Sequence, residues 1–211
     1  MDILLAHGYF LYEDPHELKV MKPYPPLGIL YISSYLKKQG FDAGVFDSTF
    51  SSMAAFKELI AKERPPVVGL YTNMMTKRNI LDMARACKES GAIVVLGGPE
   101  PPYYAADYLA SGADIIVQGE GELTLEELLP HLAKHGLSGL EAISGIAFRD
   151  DNGKVVETLP RLRDHVAIGG SADGREFVEP GIMAEQEFLG RLVEVAAEED
   201  AELAVGEAKQ H

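Results

Sequence analysis

Five short apolar runs, separated by longer amphipathic segments, constrain the fold of this 211-residue chain more than any other feature. The runs lack the alternation of apolar and polar residues that strands with one solvent-exposed face show. We therefore expect strands covered on both faces, as in a parallel sheet. Alternation of such strands with helices is typical of βαβ units. The predicted strands are Ile3–Ala6, Ala43–Phe46, Val67–Tyr71, Ile93–Leu96 and Asp114–Val117.

The segments between these runs have helical periodicity. Two stripes follow the i, i+3, i+4, i+7 spacing of an amphipathic helix: Ile80, Met83, Ala84 and Cys87, and Leu125, Leu128, Leu129 and Leu132. Gly40 follows a weaker stripe as a suitable C-terminal residue, and Thr124 with Glu127 predicts a capping box that opens the fifth helix. Five strands and five helices in alternation predict a flavodoxin-like, doubly wound α/β fold with a five-stranded parallel sheet.

The pattern changes after the fifth predicted helix. Asn152-Gly153 between the runs Ile146–Arg149 and Lys154–Glu157 predicts a β-hairpin. Further on, residues 181–211 carry eight acidic and two basic side chains, and residues 184–204 have the spacing of an acidic amphipathic helix. We therefore expect three regions: an α/β domain over 1–140, a β-hairpin extension over 141–165, and a linker with an acidic helical tail over 166–211.

Charge and cysteine content exclude several kinds of partner and site. A formal net charge of −14 argues against nucleic acid, because phosphate binding needs clustered Lys and Arg. The single cysteine, Cys87, excludes an internal disulfide framework and fits a reducing cytoplasm. No apolar run reaches the roughly 20 residues that span a bilayer, and Met1–Ala6 predicts a buried strand rather than a signal peptide. We expect a soluble, cytoplasmic protein with no membrane partner.

Ligands of open parallel sheets bind beyond the carboxyl ends of the strands, so the loops there are the candidate site. His7-Gly8 opens an unusually long loop to Pro26, and such length is typical of functional loops. Thr72–Thr76 offers polar groups to a ligand, although Thr72 or Asn73 could instead cap the next helix. Gly97-Gly98 predicts either a tight turn or a backbone surface for a planar ligand. Glycines in Gln118–Glu122 would expose N–H groups beside a helix N-terminus.

The order of several segments along the chain is more specific than any one loop. The segments are Pro25–Ile32, Lys38–Asp42, Val68–Leu70, Leu96–Pro99 and Ala113–Glu122. In this order they closely resemble the cobalamin (B12)-binding domain of class B radical SAM proteins. Ile143–Phe148 and the hairpin also resemble that family's connection to its catalytic barrel, so the resemblance covers about residues 1–165.

The resemblance implies a ligand and its contacts. In that family the corrin ring lies across the carboxyl edge of the sheet, and the nucleotide tail runs into a groove beside it. The chain would be a cobalamin-binding module that presents the corrinoid to a radical SAM or methyltransferase partner. Carried over by position, the contacts are Gly8, Tyr9, Pro26, Leu27, Gly28, Thr72, Asn73, Met74, Gly97, Gly98, Pro99, Glu100, Gly119, Glu120 and Gly121.

Two departures from the resemblance concern metals. The family's barrel binds an iron–sulfur cluster through three cysteines, whereas this chain has only Cys87, so we expect no such cluster here. Either a protein partner carries the barrel, or the chain is a standalone carrier or a truncated relative. Methionine synthase-type domains use Asp-x-His-x-x-Gly, with the histidine as lower axial cobalt ligand. Asp14-Pro15-His16 matches the first half, and Lys19 replaces the glycine. His16 is therefore the metal-ligand candidate, with a surface histidine as the alternative and His7 as a second candidate.

Other ligands of doubly wound folds need features that these loops lack. The first loop has no Gly-x-Gly-x-x-Gly for a dinucleotide, and no P-loop is present. A phosphoacceptor receiver domain needs acidic residues where His7-Gly8 and Thr72-Asn73 stand. The remaining alternative is an interaction or regulatory protein that does not bind the cofactor, keeps a degenerate cobalamin-domain fold and docks a partner through its acidic tail.

Overall fold

The structure, a computed structural model, describes residues 1–161 except Lys22 and Tyr24, and omits the side chain of Glu17. The predicted linker and acidic helix of residues 166–211 lie outside the described residues. Within the described part of the chain, no helix is both long and apolar enough to cross a membrane.

The centre of the fold is a seven-stranded sheet with the strand order β2-β1-β3-β4-β5-β6-β7. The first five strands are mutually parallel, which confirms the flavodoxin-like arrangement. Each predicted run forms a strand, within one residue of its expected bounds. The strands are β1 Ile3–His7, β2 Ala43–Phe46, β3 Val67–Tyr71, β4 Ile93–Gly97, β5 Ile115–Val117, β6 Ile146–Arg149 and β7 Val155–Glu157.

Helices cover both faces of this sheet. They are α1 Glu17–Val20, α2 Leu27–Lys38, α3 Met53–Glu63, α4 Lys77–Glu89, α5 Ala105–Ala110 and α6 Gly121–His135. One core packs α3, α4 and α5 against strand residues such as Leu4 and Ala6. The other core packs α2 and α6 against Ile3 and Leu5. Successive residues of β1 thus enter opposite cores, which explains why its run is continuously apolar.

The β-hairpin extends the same sheet. β6 pairs antiparallel with β5, with Val117 opposite Ile146, and β7 pairs antiparallel with β6. The predicted hairpin thus adds two antiparallel strands to the five predicted parallel ones, which gives a seven-stranded sheet of mixed direction. An uncovered β5 would leave a row of unpaired backbone groups at the sheet edge, and the hairpin satisfies them. The predicted boundary between residues 140 and 141 stays a prediction.

The predicted capping box at Thr124 and Glu127 is wrong. The fifth of the five longer helices, α6, begins three residues earlier, at Gly121. Thr124 therefore lies inside the helix, where its hydroxyl donates to the Glu120 carbonyl oxygen at 2.7 Å. Glu127 pairs instead with Arg161, which lies beyond the hairpin. Gly40 does follow the end of α2 with a φ of 94°, as the sequence predicted.

Because Cys87 is buried, we expect its thiol to be unreactive in the native protein. The side chain lies on the apolar face of α4, fully buried, and burial raises the pKa of the thiol to about 12. Because the thiolate is the reactive form, we expect an aromatic disulfide reagent at pH 8 to react at least about a hundredfold more slowly with native protein than with protein in guanidinium. Absorbance of the released thiolate measures both rates, with Cys87→Ala as the blank. Rapid stoichiometric reaction of the native protein would contradict this burial.

Candidate functional site

Two cavities meet at the carboxyl edge of the sheet, where the strand order reverses between β1 and β3. The larger has a volume of about 780 Å³ and lies among the loops that follow these two strands. The smaller has about 230 Å³ and extends between the sheet and helices α2 and α6. Gly28, Ile29 and Tyr71 line both cavities, so one ligand can occupy the two together.

Backbone and polar side chains line much of the larger cavity. Asn79 of α4 donates from Nδ2 to the Gly8 carbonyl oxygen at 2.8 Å and so fixes the start of the long first loop. A Cβ at Gly8 would lie 2.9 Å from Ile80 Cγ1, so glycine permits this close approach. Predicted contacts that line the cavity are Gly8, Tyr9, Pro26, Leu27, Gly28 and Asn73.

The smaller cavity is a narrow apolar slot that we call the glycine groove. Its walls include Ile32 of α2 and Leu125 of α6. The glycines that line it are Gly28, Gly69, Gly97, Gly98, Gly119 and Gly121, and Glu120 lies among them. A Cβ built on Gly28, Gly97 or Gly119 would meet no atom within 4 Å, so the protein's own packing leaves this space open. The groove therefore fits a flat ligand group that contacts backbone.

The glycine at position 98 has a different role, because it interlocks two loops. Its φ is 113°, and a Cβ there would lie 2.2 Å from the Thr72 carbonyl oxygen. Thr72 is fully buried, and its N–H donates to the Gly97 carbonyl oxygen at 2.9 Å. The structure thus places the predicted contact Thr72 beneath the site, outside the lining of both cavities.

The loop after β3 forms a turn that ends at the start of α4. Asn73 Oδ1 accepts hydrogen bonds from the N–H groups of Met75 and Thr76, both at 3.0 Å. This side-chain turn delays the helix, which has Thr76 as its cap, so the alternative prediction that Thr72 or Asn73 caps α4 is wrong. Met74 is 78% exposed and lies outside the cavity lining, whereas Met75 belongs to it.

Glu100 joins helices rather than facing the cavities. Its Oε1 lies 2.9 Å from Lys77 Nζ, and its Oε2 accepts from the Tyr108 hydroxyl at 2.8 Å. The hydrogen bond to Glu100 raises the pKa of the Lys77 amine, and burial raises the pKa of Tyr108. Glu100 therefore links α4 to α5 and supports the Gly97-Gly98 turn. Neither Glu100 nor the exposed Pro99 lines a cavity.

A buried histidine at the mouth of the sheet holds the loops after β1 and β2. His7 Nε2 lies 2.9 Å from Asp47 Oδ1, and the Tyr9 N–H donates to His7 Nδ1 at 3.3 Å. The Ser48 N–H also lies 3.0 Å from Nε2, so both ring nitrogens are engaged within the protein. The hydrogen bond from His7 lowers the pKa of Asp47 to about 2.

His16, the predicted metal ligand, is exposed and lies outside the lining of both cavities. Its N–H donates to Asp14 Oδ1 at 2.8 Å, and Asp14 does line the larger cavity. Among the described residues, no group of three or more His, Cys, Asp and Glu side chains could hold a metal ion. Axial ligation by His16 stays a prediction.

Sequence reasoning missed several residues of this site. Arg78 and Asn79 line the larger cavity from the first turn of α4, and Tyr71 ends β3. Asp47 follows β2, a strand end that the sequence analysis did not treat as part of the site. The polar triplet Asp47–Thr49 directly after an apolar run was the available signal, since every parallel strand ends at this edge.

The two adjacent glycines after β4 give a matched test of this geometry. We expect Gly98→Ala to lower the free energy of unfolding by about 3 kcal/mol, because the methyl group clashes with backbone and φ is strained. Gly97→Ala places its methyl group in open space, so we expect a change within about 1 kcal/mol. Urea unfolding followed by circular dichroism measures both variants. Equal effects of the two substitutions would contradict the interlock between Gly98 and Thr72.

Solved structures share this fold. The cobalamin-dependent S-adenosylmethionine radical enzyme OxsB with aqua-cobalamin bound matches with a TM-score of 0.62 at 23% identity, over 75% of this chain and 22% of that chain. The same enzyme with aqua-cobalamin and S-adenosylmethionine bound matches with a TM-score of 0.60 at 24% identity, over 75% of this chain and 22% of that chain. At these identities the likeness establishes the fold.

Curated relatives match part of their own length. A methyltransferase of Pyrococcus horikoshii is 31% identical over 145 residues, 65% of this chain and 30% of the relative. The anaerobic magnesium-protoporphyrin IX monomethyl ester cyclase of Synechocystis sp. is 31% identical over 144 residues, 64% of this chain and 28% of the relative. The hopanoid C-3 methylase of Methylococcus capsulatus is 26% identical over 154 residues, 70% of this chain and 30% of the relative. The chain spans less than a third of these proteins.

Comparison of the sequence with family models identifies the family of this chain. The sequence model described as the B12 binding domain matches residues 18–129, more than half of the chain. The match includes the second part of the long first loop, most of the residues that line the glycine groove and most of α6, and it confirms the resemblance found in the order of the loops. The chain therefore belongs to the B12 binding domain family.

Proposed function

We propose that the chain holds cobalamin across the carboxyl edge of its sheet and presents it to a radical SAM or methyltransferase module. The observation that carries this proposal is the open space at Gly28, Gly97 and Gly119, which joins the larger cavity at Gly28. A broad cavity connected to a narrow apolar slot fits a ligand with a wide ring and a flat, apolar tail group.

Different residues would hold the two parts of the ligand. Gly8, Tyr9, Pro26–Gly28 and Asn73 line the space for the corrin ring and its amide side chains. The glycine groove, with Gly97, Gly98 and Gly119–Gly121, takes the nucleotide base, while Arg78 adds a cation suited to phosphate or amide oxygens. Thr72 and Glu100 act indirectly, by fixing the loops that carry these contacts.

The protein's part in the chemistry is to bind and orient. Cobalamin, when bound, supplies methyl transfer at its cobalt. A base held in the glycine groove would contact the backbone of Gly97-Gly98 and Gly119–Gly121 rather than the loops that line only the larger cavity. His7 is engaged by Asp47 and Tyr9, which supports a site without His7 as axial ligand.

Exposed apolar side chains around the site support the presentation to a partner. Met75 and Tyr103 are 84% and 83% exposed, and Met74 and Tyr104, in the segments that follow β3 and β4, are also exposed. Exposed large apolar side chains beside a binding site are typical of interaction surfaces. The sequence has one cysteine, buried Cys87, so a cysteine-bound iron–sulfur cluster would have to come from a module outside these 211 residues.

Titration of the full chain with hydroxocobalamin tests the proposal. We expect saturable binding, a base-off absorbance spectrum, and stabilisation by about 2.7 kcal/mol when free ligand is at a hundred times its dissociation constant. His16→Ala should leave the spectrum unchanged if His16 is a surface residue, and should shift it if His16 binds cobalt. An unchanged spectrum and melting temperature at high ligand concentration would contradict cofactor binding and favour the interaction protein.

Gly28→Ala separates binding from folding. In α2 the added methyl group meets no protein atom, so we expect the ligand-free protein to gain up to about 0.5 kcal/mol of stability. The same methyl group occupies the space where the two cavities join, so we expect cobalamin affinity to fall at least about tenfold. Thermal unfolding and the absorbance titration measure the two effects.

The matched control for this variant is Ser34→Ala, on the exposed face of the same helix. It should raise helix propensity to a similar degree without changing cobalamin affinity. Unchanged affinity in Gly28→Ala would show that the ligand lies elsewhere.

A further inference from the structure

A cluster around Arg161 connects the end of the hairpin to helix α6. Its Nε donates to Thr124 Oγ1 at 3.2 Å, and its Nη2 donates to the Ser144 carbonyl oxygen at 3.4 Å. Nη2 also pairs with the Glu127 carboxylate. The Arg161 side chain is 19% exposed, so its contacts with Thr124 and Ser144 are partly buried, whereas the Glu127 side chain is 44% exposed and its ion pair faces solvent. One guanidinium thus holds three separate partners.

This cluster reaches the glycine groove through Thr124. The fully buried hydroxyl of Thr124 accepts from Arg161 and donates to the Glu120 carbonyl oxygen at 2.7 Å. Glu120 lines the groove and lies between Gly119 and Gly121. A short chain of hydrogen bonds therefore runs from Arg161 to the groove wall.

The opposite side of the same loop is held by Gly145. The Gln118 N–H donates to the Gly145 carbonyl oxygen at 2.8 Å. A Cβ on Gly145 would lie 3.1 Å from the Gln118 carbonyl oxygen and 3.3 Å from Arg161 Cβ. Arg161 is thus packed tightly against the turn that fixes Gln118, the residue that enters the groove loop.

We propose that Arg161 is a positioning residue that presets the Gly119–Gly121 loop for the nucleotide part of a corrinoid. This inference rests on the proposed function and adds a residue to it. A loop with two glycines loses much conformational freedom when it binds, and external hydrogen bonds reduce that cost in advance. The hydrogen bonds from the Arg161 guanidinium to Thr124 and Ser144 are charge-assisted and partly buried, and charge assistance strengthens them.

Loss of the Arg161 contacts should affect only corrinoids that carry the nucleotide, because only the nucleotide would occupy the groove. In the full chain, we expect Arg161→Ala to weaken hydroxocobalamin binding about tenfold. Binding of cobinamide, a corrinoid without the nucleotide, should change by less than about twofold. Arg161→Lys retains the charge but cannot make three contacts at once. Its loss of hydroxocobalamin affinity should therefore lie between that of the unaltered chain and that of Arg161→Ala. Absorbance titrations measure each dissociation constant, and melting temperatures measure folding.

Arg149→Ala is the matched control. Arg149 also links the hairpin through its guanidinium, donating to the carbonyl oxygens of Gly153 and Ala106, but it lies outside the lining of both cavities. It should change neither affinity. If Arg161→Ala does not fold, Arg161→Lys carries the test.

The outcomes separate the two proposals. The positioning role would be overturned if the Arg161 variants lost affinity for hydroxocobalamin and cobinamide equally, or lost affinity for neither. The proposed function would stand in both cases. No binding of either corrinoid to the unaltered chain would overturn the proposed function and this inference with it.

Discussion

Parallel pairing of β1 with both β2 and β3 is the constraint from which the site follows. Because the chain returns to opposite sides of β1, α2 covers one face of the sheet and α4 the other. The loops after β1 and β3 therefore diverge, and a crevice opens between them. The hydrogen-bonded ladder between Leu4–His7 and Val68–Tyr71 fixes the two strand ends that border this crevice.

Glycines, which have no side chain, then shape the crevice into a binding site. Gly28, Gly97 and Gly119 leave open space, whereas Gly98 and Gly69 are glycine because neighbouring atoms leave no room. Polar side chains around the site mostly hold loops: Asn79 fixes Gly8, and Glu100 fixes the turn after β4 through Lys77 and Tyr108. The site is thus built from backbone surface supported by a surrounding hydrogen-bond network, which suits a large ligand with few charges.

The sequence predicted the strands, the buried faces of α4 and α6, and the loops that carry the site, because each depends on local apolar periodicity. It could not predict which side chains in those loops point inward. Thr72 and Glu100 lie in the correct loops, but Thr72 is fully buried against Gly98 and Glu100 is held by Lys77 and Tyr108, so neither residue lines a cavity. The predicted capping box was wrong because α6 begins at Gly121, so Thr124 lies inside the helix rather than at its cap.

An experimental structure of the full chain with cobalamin would show directly where the ligand binds. We expect the corrin ring over the carboxyl ends of β1 and β3, and the nucleotide base in the glycine groove between α2 and α6. Gly28 and Gly119 should lie in van der Waals contact with the ligand. A corrinoid bound at another surface, or one whose nucleotide remains outside the groove, would contradict the central claim.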